Sequence, residues 1–149
     1  MRIIVILLQL VLLFYYLLVM FVDLHPFNNV KKYGLKRKLI ESSIIGTAMI
    51  IPVLSFYFND AGMMTISLMI YLALIVASFI RWWRHYFFQP GQDWLKTYNE
   101  IYRDTVQVLP HFKNNPPPPL ERIILHILIF FTFINSFLYM VFFVKNLFE

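Results

Sequence analysis

The chain has 149 residues, of which 60% are hydrophobic, 19% aromatic and only 14% charged. A soluble domain is about 45–50% apolar and about 25% charged, so this composition, with a mean hydropathy of +0.66, excludes an ordinary soluble enzyme and a disordered tail. The lack of cysteine removes disulfides, thiolate nucleophiles, iron–sulfur clusters and cysteine-type zinc sites, and the net charge of +5 matters less for its size than for where the charges lie.

The first apolar run covers 3–22 and contains one strongly polar residue, Gln9. About 20 apolar residues in a helix cross roughly 30 Å of hydrocarbon. Arg2 resembles the charged start of a secretion signal. The run is long for a signal core, however, and no small-residue cleavage site comes after it. A retained helix is expected. It has no Gly, Ala or Ser, the residues that let membrane helices approach closely. That places it at the edge of a bundle, facing lipid or a partner.

The second run covers 39–58 and ends at Asn59, Asp60, Ala61 and Gly62, residue types that tolerate a tight turn. The third covers 63–80, so these two form a helical hairpin. The segment 81–121 is the one long stretch outside the membrane. Gln89, Pro90 and Gly91 break it, and Asp93 is placed as a helix N-cap. From there Trp94, Tyr98, Ile101, Tyr102 and Leu109 recur at helical spacing, which predicts an amphipathic helix over 93–109. Its apolar face is expected on the headgroup layer or against the bundle ends. Its polar face mixes both signs of charge, which argues against an anionic-lipid sensor and fits a cap on the bundle or on a partner. Pro110 ends it. Residues 114–119 (Asn-Asn-Pro-Pro-Pro-Pro) read as a stiff polyproline connector, with docking into another protein's aromatic groove as the sharper alternative. The fourth run covers 123–144. The fold class is an all-α integral membrane protein: a single membrane domain over 1–149 with four transmembrane helices and a cytoplasmic interfacial helix.

Orientation comes from Lys and Arg in the short loops. The first loop carries Lys31, Lys32, Lys36, Arg37 and Lys38, and the turn at 59–62 carries none. Arg81, Arg84, Lys96, Arg103, Lys113 and Arg122 lie in the third segment, against Arg2 and Lys145 at the ends. Both termini are expected outside, on the periplasmic, extracellular or intermembrane side, with the basic loops on the cytoplasmic or matrix side. Trp82 and Trp83 lie between Arg81 and Arg84 where the third helix leaves the membrane. These four residues and the basic residues of the first loop are expected to meet lipid headgroups.

Helix packing is assigned to Ser43, Gly46 and Thr47 on the second helix, Ala73 and Ala77 on the third, and Thr132, Asn135 and Ser136 on the fourth. Asn135, near mid-membrane, is expected to bond across to another helix. Glu41, His85 and His126, with Asp23 and His25, fall at one interface, where carboxylates and imidazoles support acid–base chemistry. No histidine pair has metal-motif spacing, and Arg122 lies one turn before His126. Phosphate-binding loops, dinucleotide fingerprints and nucleophile elbows are all missing. Neither metal nor cofactor is implied, and the partners expected are the lipid bilayer and other membrane subunits, not nucleic acid. The leading function is a non-catalytic accessory or structural subunit of a membrane complex. The alternatives are a membrane-embedded enzyme or lipid-binding protein at the headgroup interface, with Arg81 and Arg84 holding a phosphate, and a small oligomeric channel or transporter.

Overall fold

The structure is a computed structural model and describes residues 1–148. Among these residues it is helical, without strands. Helices α1 (Arg2–Phe21), α2 (Leu35–Phe58), α3 (Ala61–Ser78) and α6 (Leu120–Phe148) form the bundle. Short α4 (Arg84–Phe87) continues α3 through a π-helical turn, Phe79–Trp83. Helix α5 (Gln92–Ile101) lies outside the bundle. Four helices are long and apolar enough to cross a membrane: Arg2–Phe21, Leu35–Phe58, Ala61–Phe87 and Leu120–Asn146. A helix is the form hydrocarbon favours, because it pairs backbone groups internally; α2 carries one interruption, Pro52, which has no amide to donate.

The bundle closes as a ring in which α1 packs on α2, α2 on α3, α3 on α6 and α6 on α1. Helix α1 is therefore a full member of the ring, not an edge element. It lacks small residues but buries Val5, Leu12, Tyr16, Val19 and Met20 along one stripe. Large side chains fill the interhelical space here in place of close backbone approach. Val5, Phe56, Met64 and Tyr139 form one core layer towards the chain ends. Leu12, Tyr16, Met20, Met49, Tyr71 and Ile129 form the next.

Polar staples sit at several depths. Gln9 Nε2 donates to Ser136 Oγ at 3.2 Å, and Ser67 Oγ donates to Ser55 Oγ at 2.9 Å. At the α2–α3 turn, Asn59 takes the left-handed conformation (φ 61°) and Asp60 caps α3 by accepting from the Met63 amide at 2.7 Å. Ala61 and Gly62 are already helical, so the turn is shorter than the sequence suggests. Tyr139 Oη donates to Asn59 Oδ1 at 2.7 Å and ties α6 to it.

The packing residues fall differently from the sequence assignment. Thr132 and Ser136 are buried, but Asn135 donates to the Phe131 carbonyl of its own helix. The cross-helix bond belongs to Ser136, one residue on and about 100° around the helix. Ser43, Thr47, Ala73 and Ala77 are exposed on the outside of the ring. Gly46 is buried, yet a Cβ there would meet nothing within 4 Å, so no neighbour requires a glycine.

The other end carries a cap. Asn28 fixes the first loop by accepting from the Leu24 amide at 2.8 Å and donating to the Val19 and Val22 carbonyls. Helix α5 starts at Gln92 behind Gly91 and stops at Ile101, well short of 109. Beyond it the backbone bonds outward instead: the Val106 amide to the Pro26 carbonyl, and the Leu120 amide to the Val106 carbonyl. Leu109 therefore does not extend the apolar stripe. Tyr98, Ile101 and Tyr102 pack on Tyr33 and Trp82. Phe112 and Asn115 close a two-residue hairpin whose central residues, Lys113 and Asn114, have the positive φ such turns need. The proline run returns the chain to α6 packed into the protein rather than standing free. Residues 115–119 are buried, and Tyr98 Oη donates to the Pro117 carbonyl at 2.8 Å while accepting from Gln107. Burial pushes the Tyr98 phenol up to about 12.

These placements make two outcomes measurable. Gly46→Ala is expected to raise stability by roughly 0.5–1 kcal/mol, read from thermal unfolding in detergent, because alanine lowers the entropic cost of the helix and meets no neighbour. Tyr98→Phe leaves the Pro117 carbonyl without its donor and is expected to speed amide hydrogen exchange across 92–119. Its expected cost is about 1–3 kcal/mol.

Candidate functional site

The capped end is where chemistry-bearing side chains gather, and the π-helical turn sets their directions. Its closing bond runs from the Arg84 amide to the Phe79 carbonyl, five residues back. The extra residue rotates the next helical turn relative to α3. The adjacent indoles, which point about 100° apart as neighbours on a helix do, meet different partners. Trp82 turns into the cap, 5% exposed, with its ring edge-on to Tyr102 at 5.0 Å. Trp83 turns to α6 and donates from Nε1 to His126 Nδ1 at 3.1 Å.

Glu41, His85 and His126 share this end of the bundle but not a site. Glu41 Oε1 accepts from Arg37 Nε at 2.9 Å and Arg81 at 3.2 Å, while its backbone carbonyl accepts from Tyr16 Oη. His85 lies against the Trp94 ring, centroids 4.6 Å apart. His126 is engaged by Trp83. Asp23 pairs with Lys31 at 2.8 Å, and that hydrogen bond holds its carboxyl below the usual aspartate range. Among the described residues no three carboxylate or imidazole groups come together as a metal site.

The dominant charge pair is one that the sequence pattern does not single out. Glu121 and Arg122, 2% and 9% exposed, open α6 inside the protein. Arg122 Nε lies 3.1 Å from Glu121 Oε1, though without the alignment of a hydrogen bond, and Glu121 Oε2 has no partner. The same guanidinium donates to Tyr33 Oη at 3.3 Å and Tyr102 Oη at 3.4 Å and lies over the Trp82 ring. Arg122 is thus not a loop cation. A signal exists in the sequence: Glu121 and Arg122 stand between four prolines and a long apolar run, with no polar loop to solvate them.

Of the residues assigned to lipid headgroups, Lys31, Lys32, Lys36, Arg37, Arg81 and Arg84 are exposed and Lys38 is half-buried. Lys31, Lys32, Arg37 and Arg81 are engaged by Asp23, Asp104 and Glu41. Trp82 is enclosed by the aromatic cap, and Trp83 is half-buried with its N–H bonded to His126 on α6.

A lateral cleft of about 300 Å³ opens between the π-turn and α6, lined by Ile75, Ser78, Phe79, Trp83, Phe87, His126, Ile129 and Phe130. His126 also borders a smaller cavity of about 90 Å³ inside the bundle, next to Arg81 and Arg122. Such an arrangement can hold an apolar group against one imidazole. No family model matches the chain, and no match is found among curated proteins or solved structures.

Removing one partner of a buried ion pair strands the other charge. Arg122→Ala is therefore expected to destabilise the protein by about 3–5 kcal/mol. The double change Glu121→Leu, Arg122→Met should recover most of that loss in the same thermal-unfolding assay; equal instability of single and double variants would show that the stranded charge is not the cause.

Proposed function

We propose that the chain is a non-catalytic accessory or structural subunit of a larger membrane complex. In this reading both termini lie outside, the cap rests on the cytoplasmic or matrix side, and α5 lies at that interface. The observation that carries the proposal is the outward placement of the small and hydroxyl residues on α2 and α3. Ala73 and Ala77 floor a shallow apolar groove with Met69, Leu72, Val76 and Ile80 on the outside of α3. Ser43 and Thr47 are exposed on α2 without a side-chain hydrogen bond. In a bilayer, small residues and hydroxyls are where a second helix approaches and bonds, since lipid supplies no hydrophobic drive between helices.

Two competing functions draw less support. An enzyme at the headgroup interface needs Glu41, His85 and His126 on one substrate, and each is held by a different structural partner. A channel formed between copies of the chain needs a polar outer helix face to line it, and the exposed faces of α1, α3 and α6 are mainly large apolar residues.

Gentle extraction followed by mass spectrometry tests the proposal. The expected result is a stoichiometric set of other membrane proteins. Ala73→Leu is expected to weaken their recovery at least severalfold, whereas Leu7→Ala on the exposed face of α1 leaves it unchanged. A monomer or homo-oligomer as the sole species would overturn the reading. Because the chain has no cysteine, single cysteines at Lys36 and Asp60 report topology directly: the first is expected to react only from the cytoplasmic or matrix side, the second only from the opposite side.

A further inference from the structure

The lateral cleft carries a second inference, independent of whether the chain is a subunit. We propose that it binds a membrane-dissolved apolar molecule through a carbonyl-type hydrogen-bond acceptor, presented to His126 at the capped end of the bundle.

The imidazole supplies the polar half of this site. An indole N–H only donates, so the 3.1 Å bond from Trp83 makes Nδ1 of His126 the acceptor and leaves the ring proton on Nε2. The Nε2–H group has no hydrogen-bond partner among the described residues, yet it is not sealed off as a buried orphan. It is a donor held ready at the edge of open space. The bond to Trp83 also fixes the ring plane, so orienting the donor on binding costs little.

The surroundings decide what the donor meets. Apart from His126 and the indole N–H already in use, Ser78 supplies the single other polar side chain of the lining. A resident water is stable with two to four polar partners, which this wall scarcely provides. The remaining lining is aliphatic or aromatic: Ile75, Phe79, Phe87, Ile129 and Phe130. At about 300 Å³ the cleft falls at the lower end of small-molecule sites, which are mostly apolar with a few placed polar groups. Its rim residues Phe79, Phe87 and Phe130 are 48%, 42% and 55% exposed on the outer face of the bundle, so entry is sideways, from the hydrocarbon. The cleft lies against the π-turn, whose residues Phe79 and Trp83 line it, and π-turns inside helices recur at functional sites. An acyl or isoprenoid tail lies along α3 and α6 while its carbonyl reaches His126.

Photolabelling in phosphatidylcholine vesicles tests this. Three diazirine probes are compared: an ester-linked phospholipid, its ether-linked counterpart without the carbonyl, and a single isoprenoid chain ending in a ketone. Mass spectrometry maps the labels. At least one carbonyl probe is expected to label Phe79, Phe87 and Phe130 about three- to tenfold more than the ether probe, the range that one net hydrogen bond gives. Selective labelling by the phospholipid ester makes the ligand a bilayer lipid, and by the ketone alone a free isoprenoid-type molecule. His126→Phe is expected to erase the carbonyl preference, and Ser78→Phe, which fills the shared wall but keeps His126, to lower cleft labelling by every probe. Equal labelling by ester, ketone and ether probes, or uniform labelling along Ile134, Phe137 and Val141, would overturn the proposal. Should His126→Phe fail to fold, the probe comparison in the unmodified protein and in Ser78→Phe still decides it.

Discussion

A guanidinium buried at the mouth of the bundle holds the capped end together. Arg122 reaches Glu121 beside it on α6, Tyr33 from the first loop, Trp82 from the π-turn and Tyr102 from the end of α5. Taking a charge out of water costs several kcal/mol unless opposite charge and hydrogen bonds surround it. Once Arg122 is enclosed, each of these segments is required where it stands, since the loss of any one exposes or strands the charge. The cap is therefore built around a site that penalises incomplete assembly, more than around a large apolar core.

The rest of the capped end depends on what the aromatic residues do around that charge. Trp82, Trp94, Tyr98 and Tyr102 pack edge-on, tilted or stacked at centroid distances of 5.0–6.1 Å. Such pairs add about 0.5–1.5 kcal/mol each beyond burial. Tyrosine hydroxyls then do what a soluble loop would leave to water. Tyr98 holds Pro117, Tyr86 holds Pro110, and Tyr15 holds the Glu121 carbonyl. Prolines have no amide to satisfy, so a proline run is well suited to burial, provided donors are found for its carbonyls. The chain thereby returns from α5 to α6 through a buried connector.

Within the bundle a different balance holds. Polar side chains there are few, and several meet across helices, as in Gln9 with Ser136 and Ser55 with Ser67. Each such bond contributes about 0.6 kcal/mol, modest but directional. They set register, while the large side chains of α1 supply contact. The outward residues are mostly large and apolar. The cleft beside His126 and the groove beside Ala73 and Ala77 lie on this outer surface, with different linings and different chemistry.

The four spans are legible from composition alone, because a run of about 20 apolar residues has one low-energy state in hydrocarbon and its length is readable residue by residue. The hairpin at Asn59 and Asp60 and the break at Pro90 and Gly91 are legible for similarly local reasons. Which way a side chain faces is not. The π-turn shifts the phase of the helix beyond Phe79, and composition carries no trace of that rotation. Ser136 rather than Asn135 makes the cross-helix bond, because facing positions depend on the angle at which α6 meets α1. The early end of α5 is hidden as well: its apolar spacing runs on, but the backbone after Tyr102 finds partners at Pro26 and Leu120. The surroundings of Arg122 are not legible either, because its shield comes from residues 89, 40 and 20 positions away (Tyr33, Trp82 and Tyr102). Folding brings them together, and there a basic residue at a helix start becomes the centre of a cap.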